Sequence, residues 1–354
     1  MTTNSHESKN MTAVYFESYD HHAGVIPTIS STLQHYVLPI IYGVGLVGNI
    51  LTFLVMHLAH NRRSVMCYYF KLLAISDSLT LLCGFIFRYV FILRPDWLRI
   101  YPIGQTFCVT YFYFAYLFYD VSIWQVFIIA TDRFVVVRYP LRASSWCTFE
   151  RANILVTCNV IVHAILYFPN VFRSNENVEV PNVGTCMLPE WLEWYYIGHD
   201  VINTSIDSLV PVILICILNV AIVISVKQHT STLKDQTGLT HSKSDNKKEN
   251  TMTLMLVVVA TALIVLIMPY ALNFVLWNCC ISSYEASHPG LMVLSGEISL
   301  TLCTLNTSLN FFLYAFSSAR FRDDIVAILF CRERQPTTST GSPNSRCPTR
   351  HRYI

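Results

Sequence analysis

Charged side chains are scarce: Asp, Glu, Lys and Arg make up 13% of the 354 residues, against 53% apolar. A soluble domain carries about a quarter charged residues, so an ordinary soluble fold is excluded and much of the apolar surplus must face lipid. The 12 cysteines are too few and too scattered for a disulfide scaffold. Catalytic signatures are missing too. There is no HExxH, no GxSxG and no Cys/His metal cluster, which argues against an enzyme. No internal repeat of the transporter kind occurs. The polar stretch up to about Thr32 lacks the apolar core of a signal peptide, so the first apolar run is expected to direct insertion itself. The formal net charge of +2 says little alone, and no nucleic-acid partner is expected.

What is present is apolar length. Seven runs approach or exceed the roughly 20 residues needed per crossing: 37–56, 68–91, 107–137, 152–172, 197–226, 252–281 and 291–316. The expected fold is therefore an all-α membrane protein, a seven-transmembrane helix bundle. Lys and Arg set its orientation. Only Lys9, Arg88, Arg94, Arg99 and Arg173 lie on one side, leaving 19 of 24 basic residues with the loops 57–67, 138–151 and 227–250 and the C-terminus. That basic side is expected to be cytoplasmic, with the N-terminus outside, and eleven acids accompany the five outer basic residues. The resulting organisation is an extracellular tail over 1–35, the bundle over 36–317, an amphipathic juxtamembrane helix over 318–331 and a polar tail over 332–354. Asn10 in "NMT" is a glycosylation candidate.

The stretch 305–316, "LNTSLNFFLYAF", places Asn306, Thr307, Ser308, Asn310 and Tyr314 in an otherwise apolar span. A polar group in hydrocarbon costs several kcal/mol without a partner, so this stripe must face the bundle interior. Asp77, Asp120 and Asp207 are intramembrane carboxylates, which are functional candidates by default. Further marks stand in order along the chain: Gly48-Asn49, "LAISD" ending at Asp77, Cys108, Asp132-Arg133 in "TDRF", Pro211, Pro269 and "NFFLY" from Asn310 to Tyr314. Together these residues resemble a rhodopsin-like (class A) G-protein-coupled receptor over nearly the whole chain. The long acidic loop 173–196 and the "NFFLY" stretch also resemble neuropeptide receptors of the FMRFamide type.

The resemblance implies a sodium pocket around Asp77 with Asn49, Ser122, Asn306 and Asn310, the bound ion being the single cofactor-like element expected. The plainer alternative is a polar network that only glues helices. It also implies a G-protein switch, with Asp132 holding Arg133 at rest and Tyr314 as the active-state partner. Without it, Asp132-Arg133 reads as a charged helix end snorkelling to the headgroups. A disulfide between Cys108 and Cys186 follows from the same resemblance. "SSARFRDDIVAILFC" suits a helix lying in the membrane surface, with Cys331 open to palmitoylation or simply buried. Thr337, Thr338, Ser339 and Thr340 offer phosphorylation sites for arrestin, or belong to a plain disordered tail.

Three departures stand out. Phe134 follows Asp132-Arg133 where the family usually has Tyr. Ile267 stands where it usually has a tryptophan, and Phe311 replaces the proline of the seventh helix's motif. Ala115 occupies the position of the amine receptors' aspartate, and no Lys follows Lys248, so neither an amine bound in the usual way nor a retinal Schiff base is supported. Asp120 and Asp207 are expected either to pair with a cationic ligand group or to share a proton and close the cavity. Glu190 and Glu297 on the outer rim would steer cations, and Trp194 adds amphipathic contact area. A short basic, amidated peptide fits this rim best. A lipid or other small molecule is the alternative within the receptor class, and a transporter or channel is a more distant one. A plasma-membrane location is expected.

Overall fold

The computed structural model describes residues 25–58, 64–93, 103–172, 189–192, 209–236, 243–275 and 289–329. These residues are helical apart from a few connecting positions, with no strand among them. Their architecture rests on α1 (Leu38–Leu58), α2 (Val65–Leu93), α3 (Tyr116–Arg138), α4 (Phe149–Tyr167), α5 (Val210–Gln236), α6 (Lys243–Val275), α7 (Pro289–Ser317) and α8 (Ala319–Leu329).

Several helices overrun the apolar runs that nucleate them. α1 continues outward through a π-helical turn, Leu33–Val37, into a further helix, Val25–Thr32. Helix therefore begins inside the stretch read as a tail. Pro27 fits a first helical turn, where its missing N–H is no loss, and the extension packs on α7. α3 is likewise entered through Ile103–Val109 and a π-helical turn, Thr110–Ala115. At the other ends α5 runs on to Gln236 and α6 starts at Lys243, inside the polar stretch 228–250. Propagation costs little once a helix is nucleated.

The helices are inside-out by soluble standards. In α1, Ile40, Val44, Val47, Ile50 and Leu54 are exposed at three- to four-residue spacing, whereas Tyr42, Asn49, Thr52 and Val55 are buried. α4 repeats this, with Ile154, Ile161 and Ile165 outside and Asn159, His163 and Tyr167 inside. Apolar residues outward and polar groups inward is the arrangement hydrocarbon demands. Thr28–Leu58, Val65–Phe87, Gln105–Arg138 and Phe149–Phe172 are each long and apolar enough to cross a membrane, and Val210–Val226 and Val257–Asn273 are shorter apolar stretches of α5 and α6.

The bundle closes on itself. α1 packs on α2 and α7, α2 on α3, α3 on α4 and α5, α5 on α6, and α6 on α7, while α3 also reaches α6. Side chains donate across the seams to backbone carbonyls: Asn159 Nδ2 to Val121 at 3.0 Å, Gln125 Nε2 to Tyr69 at 2.9 Å, and Ser308 Oγ to Ile41 at 3.2 Å. Such bonds hold helices together where water supplies no driving force. At two glycines the α1–α7 seam is tight. A Cβ added at Gly45 would lie 2.6 Å from Ser308 Cβ, and one at Gly48 would lie 3.0 Å from Phe311 Cβ.

α8 is held at both ends of its first turn. Ser318 Oγ caps it, accepting from the Phe321 N–H at 3.2 Å, and Arg322 Nη1 donates to the Ala315 carbonyl at 2.8 Å, closing the end of α7. Phe321 is buried against Phe311 and Tyr314.

Candidate functional site

The polar stripe of α7 converges on Asp77. This carboxylate is wholly buried, with Ser122 Oγ donating to Oδ1 at 2.5 Å and Asn310 Nδ2 to Oδ2 at 2.6 Å. Three helices, α2, α3 and α7, thus meet at one charge. Asn49 joins from α1 by donating Nδ2 to the Thr307 carbonyl at 3.0 Å, which leaves its Oδ1 buried without a hydrogen bond. Asn306 is buried one helical turn outward of Asn310. Four of the five expected pocket residues are therefore tied together directly or through α7, and the fifth adjoins them. The donor set consists of hard oxygens, a carboxylate, a hydroxyl and amide carbonyls, which suits a hard cation or water. The orphaned Asn49 Oδ1 is the atom most in need of one. Among the described residues no trio of His, Cys, Asp or Glu converges.

Arg133 lies at the inner end of α3 and is buried although it carries a charge. Next to it, the Cys147 thiol donates to the Asp132 backbone carbonyl at 3.8 Å. Burial and the neighbouring Asp132 push this thiol up to about 12, so it stays neutral at physiological pH. Tyr314 is not joined to Arg133. Its ring packs on Phe70 at 4.9 Å and on Phe321 at 5.7 Å, and its buried hydroxyl makes no hydrogen bond. Above this level Pro269 interrupts α6, with Ser299 Oγ donating to its carbonyl at 3.5 Å. Ile267, in the tryptophan's place, is fully buried in the inner core.

In the outer half the carboxylates separate. Asp120 is buried and accepts from the hydroxyl of Tyr167, so its carboxylate is engaged at the α3–α4 contact. Glu297 is 3% exposed on α7, and its Oε1 accepts from Gln34 Nε2 at 2.8 Å, within the π-helical turn that extends α1. Glu190 heads the turn Glu190–Leu192. Asp207, Trp194, Cys186, Asn10 and Cys331 lie outside the described residues. Cys108 is disulfide-bonded, and every other described cysteine is a free thiol, so its partner also lies outside them.

Tyr167, Gln34 and Cys147 escaped sequence reasoning. With 20 tyrosines in the chain, many at span ends where an interfacial belt already accounts for them, nothing marked Tyr167 as a carboxylate's partner. Helical spacing, however, does put residue 297 on the face of α7 that carries residues 304, 308 and 311.

Residues 48–314 match the model of the 7 transmembrane receptor (rhodopsin family). The chain belongs to this family. It is a multi-pass membrane receptor and not an enzyme, in keeping with the bundle described above. Similar proteins include the Bombyx mori allatostatin-A receptor, 24% identical over 321 residues covering 89% of this chain and 85% of that protein. The Gallus gallus thyrotropin-releasing hormone receptor is 25% identical over 335 residues, covering 86% and 81%. The Drosophila melanogaster FMRFamide receptor is 25% identical over 228 residues, covering 60% and 37%. The matched range begins at Gly48 and ends at Tyr314, and it encloses Asp77, Arg133 and Asn310.

Proposed function

We propose that this receptor binds an extracellular peptide, short, basic and amidated, and answers by activating a heterotrimeric G protein at the plasma membrane. The observation that carries the peptide reading is the similarity, over most of the chain, to receptors named for allatostatin-A and thyrotropin-releasing hormone. The excess of acids over bases on the outer side favours a cationic ligand. Glu190, Asp207 and Trp194 complete the proposed contact set, and Asp120, held by Tyr167, forms its deepest acid.

Asp77 with Asn49, Ser122, Asn306 and Asn310 forms a pocket for sodium in the resting state. The residues on hand fit the ion, because the buried Asn49 Oδ1 offers an unused oxygen acceptor to add to the Asp77 carboxylate and the Ser122 hydroxyl. Activation draws Tyr314 toward Arg133 as Arg133 leaves Asp132. The unbonded Tyr314 hydroxyl supports this as the resting arrangement. Cys108 pairs with Cys186 and pins the loop 173–196 over the mouth, with the N-terminus and Asn10 outside. On the inner side, lipidated Cys331 anchors α8 to membrane lipid, and the phosphorylated tail engages arrestin.

The deciding experiment is G-protein activation in cells expressing the chain, challenged with a panel of amidated neuropeptides that includes FMRFamide. We expect a basic peptide to trigger a response that Arg133→Ala abolishes with surface expression unchanged. Silence across the panel, with the protein at the surface, would overturn the peptide reading.

A further inference from the structure

The loop after α3 is short and tightly built, which leaves Cys147 little freedom. α3 ends at Arg138, and the Tyr139 N–H still donates to the Val135 carbonyl at 2.9 Å. Pro140, with its fixed φ, opens a further helix, Pro140–Trp146, which packs on α3. Cys147 leaves that helix at φ −93° and ψ 66°, and Thr148 at once caps α4 by accepting from the Arg151 N–H at 3.4 Å. Cys147 is therefore the single residue between the loop helix and the cap of α4.

Its side chain is half-buried and turned back on α3. Sγ donates to the Asp132 carbonyl at 3.8 Å and borders the Asp132 carboxylate. Burial and the Asp132 charge keep the thiol protonated, so it stands there as a donor and not as a thiolate. Tyr69 of α2 walls the group, 1% exposed and within electrostatic reach of Asp132, Cys147 and Arg133. Gln125 Nε2 ties the Tyr69 carbonyl to α3 at 2.9 Å, so this wall moves with Asp132. Cys147 brings in the third element, the loop.

We propose that Cys147 is a positioning residue of the switch, tying the helix Pro140–Trp146 to Asp132 and acting on Arg133 through it. The inference rests on the reading of Asp132-Arg133 as a G-protein switch. While the thiol is in place, the Asp132 carboxylate is kept where it attracts the Arg133 guanidinium. A partner that grips the loop helix, where Leu141 and Trp146 are exposed, draws Cys147 away and loosens that hold. The coupling is reciprocal, so release of Arg133 also frees the loop. A thiol is a weak donor, strong enough to bias the resting state without locking it.

The test uses the purified full-length receptor in lipid nanodiscs, with purified heterotrimeric G proteins of several classes and no ligand added. Basal nucleotide exchange is expected to rise about two- to fivefold in Cys147→Val, the shift that one weak hydrogen bond supports. Cys147→Ser keeps a donor and returns exchange to the wild-type level or below. Adding Arg133→Ala to Cys147→Val removes the rise. Unchanged exchange in Cys147→Val, or a Cys147→Ser receptor as active as Cys147→Val, would overturn the proposal. Should Cys147→Val not fold, Cys147→Ala takes its place. A second measurement needs no G protein. Alkylation of Cys147 by N-ethylmaleimide, located by peptide mapping, is expected to be slow in wild type. In Asp132→Ala, where Arg133 and Arg151 are left to favour the thiolate, it runs about tenfold faster. Equal rates would show that Asp132 does not act on the thiol, and the proposal would fall. No exchange in any receptor, with the alkylation contrast present, would remove the switch reading and leave only the Cys147–Asp132 contact.

Discussion

Both oxygens of Asp77 are engaged by neutral donors, Ser122 and Asn310, so two kinds of substitution separate its roles. Asp77→Ala strands both donors in the interior, at roughly 1–3 kcal/mol for each unsatisfied group, and is expected to lower the melting temperature of the purified receptor clearly. Asp77→Asn keeps a carbonyl acceptor while removing a buried charge. It is expected to melt at or above wild type, yet to lose any dependence of agonist binding on sodium concentration. A variant that kept the sodium dependence would show that the ion binds elsewhere. Tyr167 allows an equally sharp comparison. Tyr167→Phe preserves the ring that packs on Tyr116 and deletes only the donor to Asp120, so a loss of about 1–3 kcal/mol is expected. The loss should largely vanish in an Asp120→Ala background, where no side-chain acceptor remains and a double-mutant cycle reports the coupling. Additive losses would mean that the hydroxyl serves another partner.

At the scale of helices, the α1–α7 seam gives the clearest contrast. Gly45→Val would drive a side chain into Ser308 and Leu81, while the space around a Cβ at Gly43 is open to 4 Å. Overpacking of this kind costs about 1–3 kcal/mol. Gly45→Val is therefore expected to reduce cell-surface expression strongly, and Gly43→Val to leave it near wild type, as measured by surface antibody labelling. Much at this scale was legible beforehand. The polar stripe from Asn306 to Tyr314 had to face inward because hydrocarbon offers no hydrogen bonds, and it does. Helix ends were not legible: Val25, Gln236 and Lys243 lie beyond any apolar run, where propensity and packing extend a helix that hydropathy cannot see. The partner of each carboxylate was equally hidden. Spacing gives the face of one helix, whereas a bond such as Tyr167–Asp120 depends on how two helices are rotated against each other.

At the scale of the molecule, the covalent link at Cys108 and the enclosed ring of helices define the receptor. Cys108 is bonded to a cysteine outside the described helices. Peptide mapping under non-reducing conditions is expected to recover a cross-linked pair containing Cys108 and Cys186, and Cys108→Ser to diminish surface expression. A pair joining Cys108 to Cys279 or Cys280 instead would move the tether from the loop 173–196 to the outer end of the sixth span.

The ring closes between its first and its last long helix, and this has a consequence for synthesis. Chains emerge N-terminus first, so α1 enters the bilayer long before α7 exists. Until then neither Ser308 nor Phe311 is there to pack against Gly45 and Gly48, and the amide of Asn49 lacks the Thr307 carbonyl that it holds in the finished receptor. A ribosome that stops early releases a polypeptide with an unsatisfied polar group standing in the bilayer, a mark by which the cell's quality control can tell an unfinished receptor from a complete one.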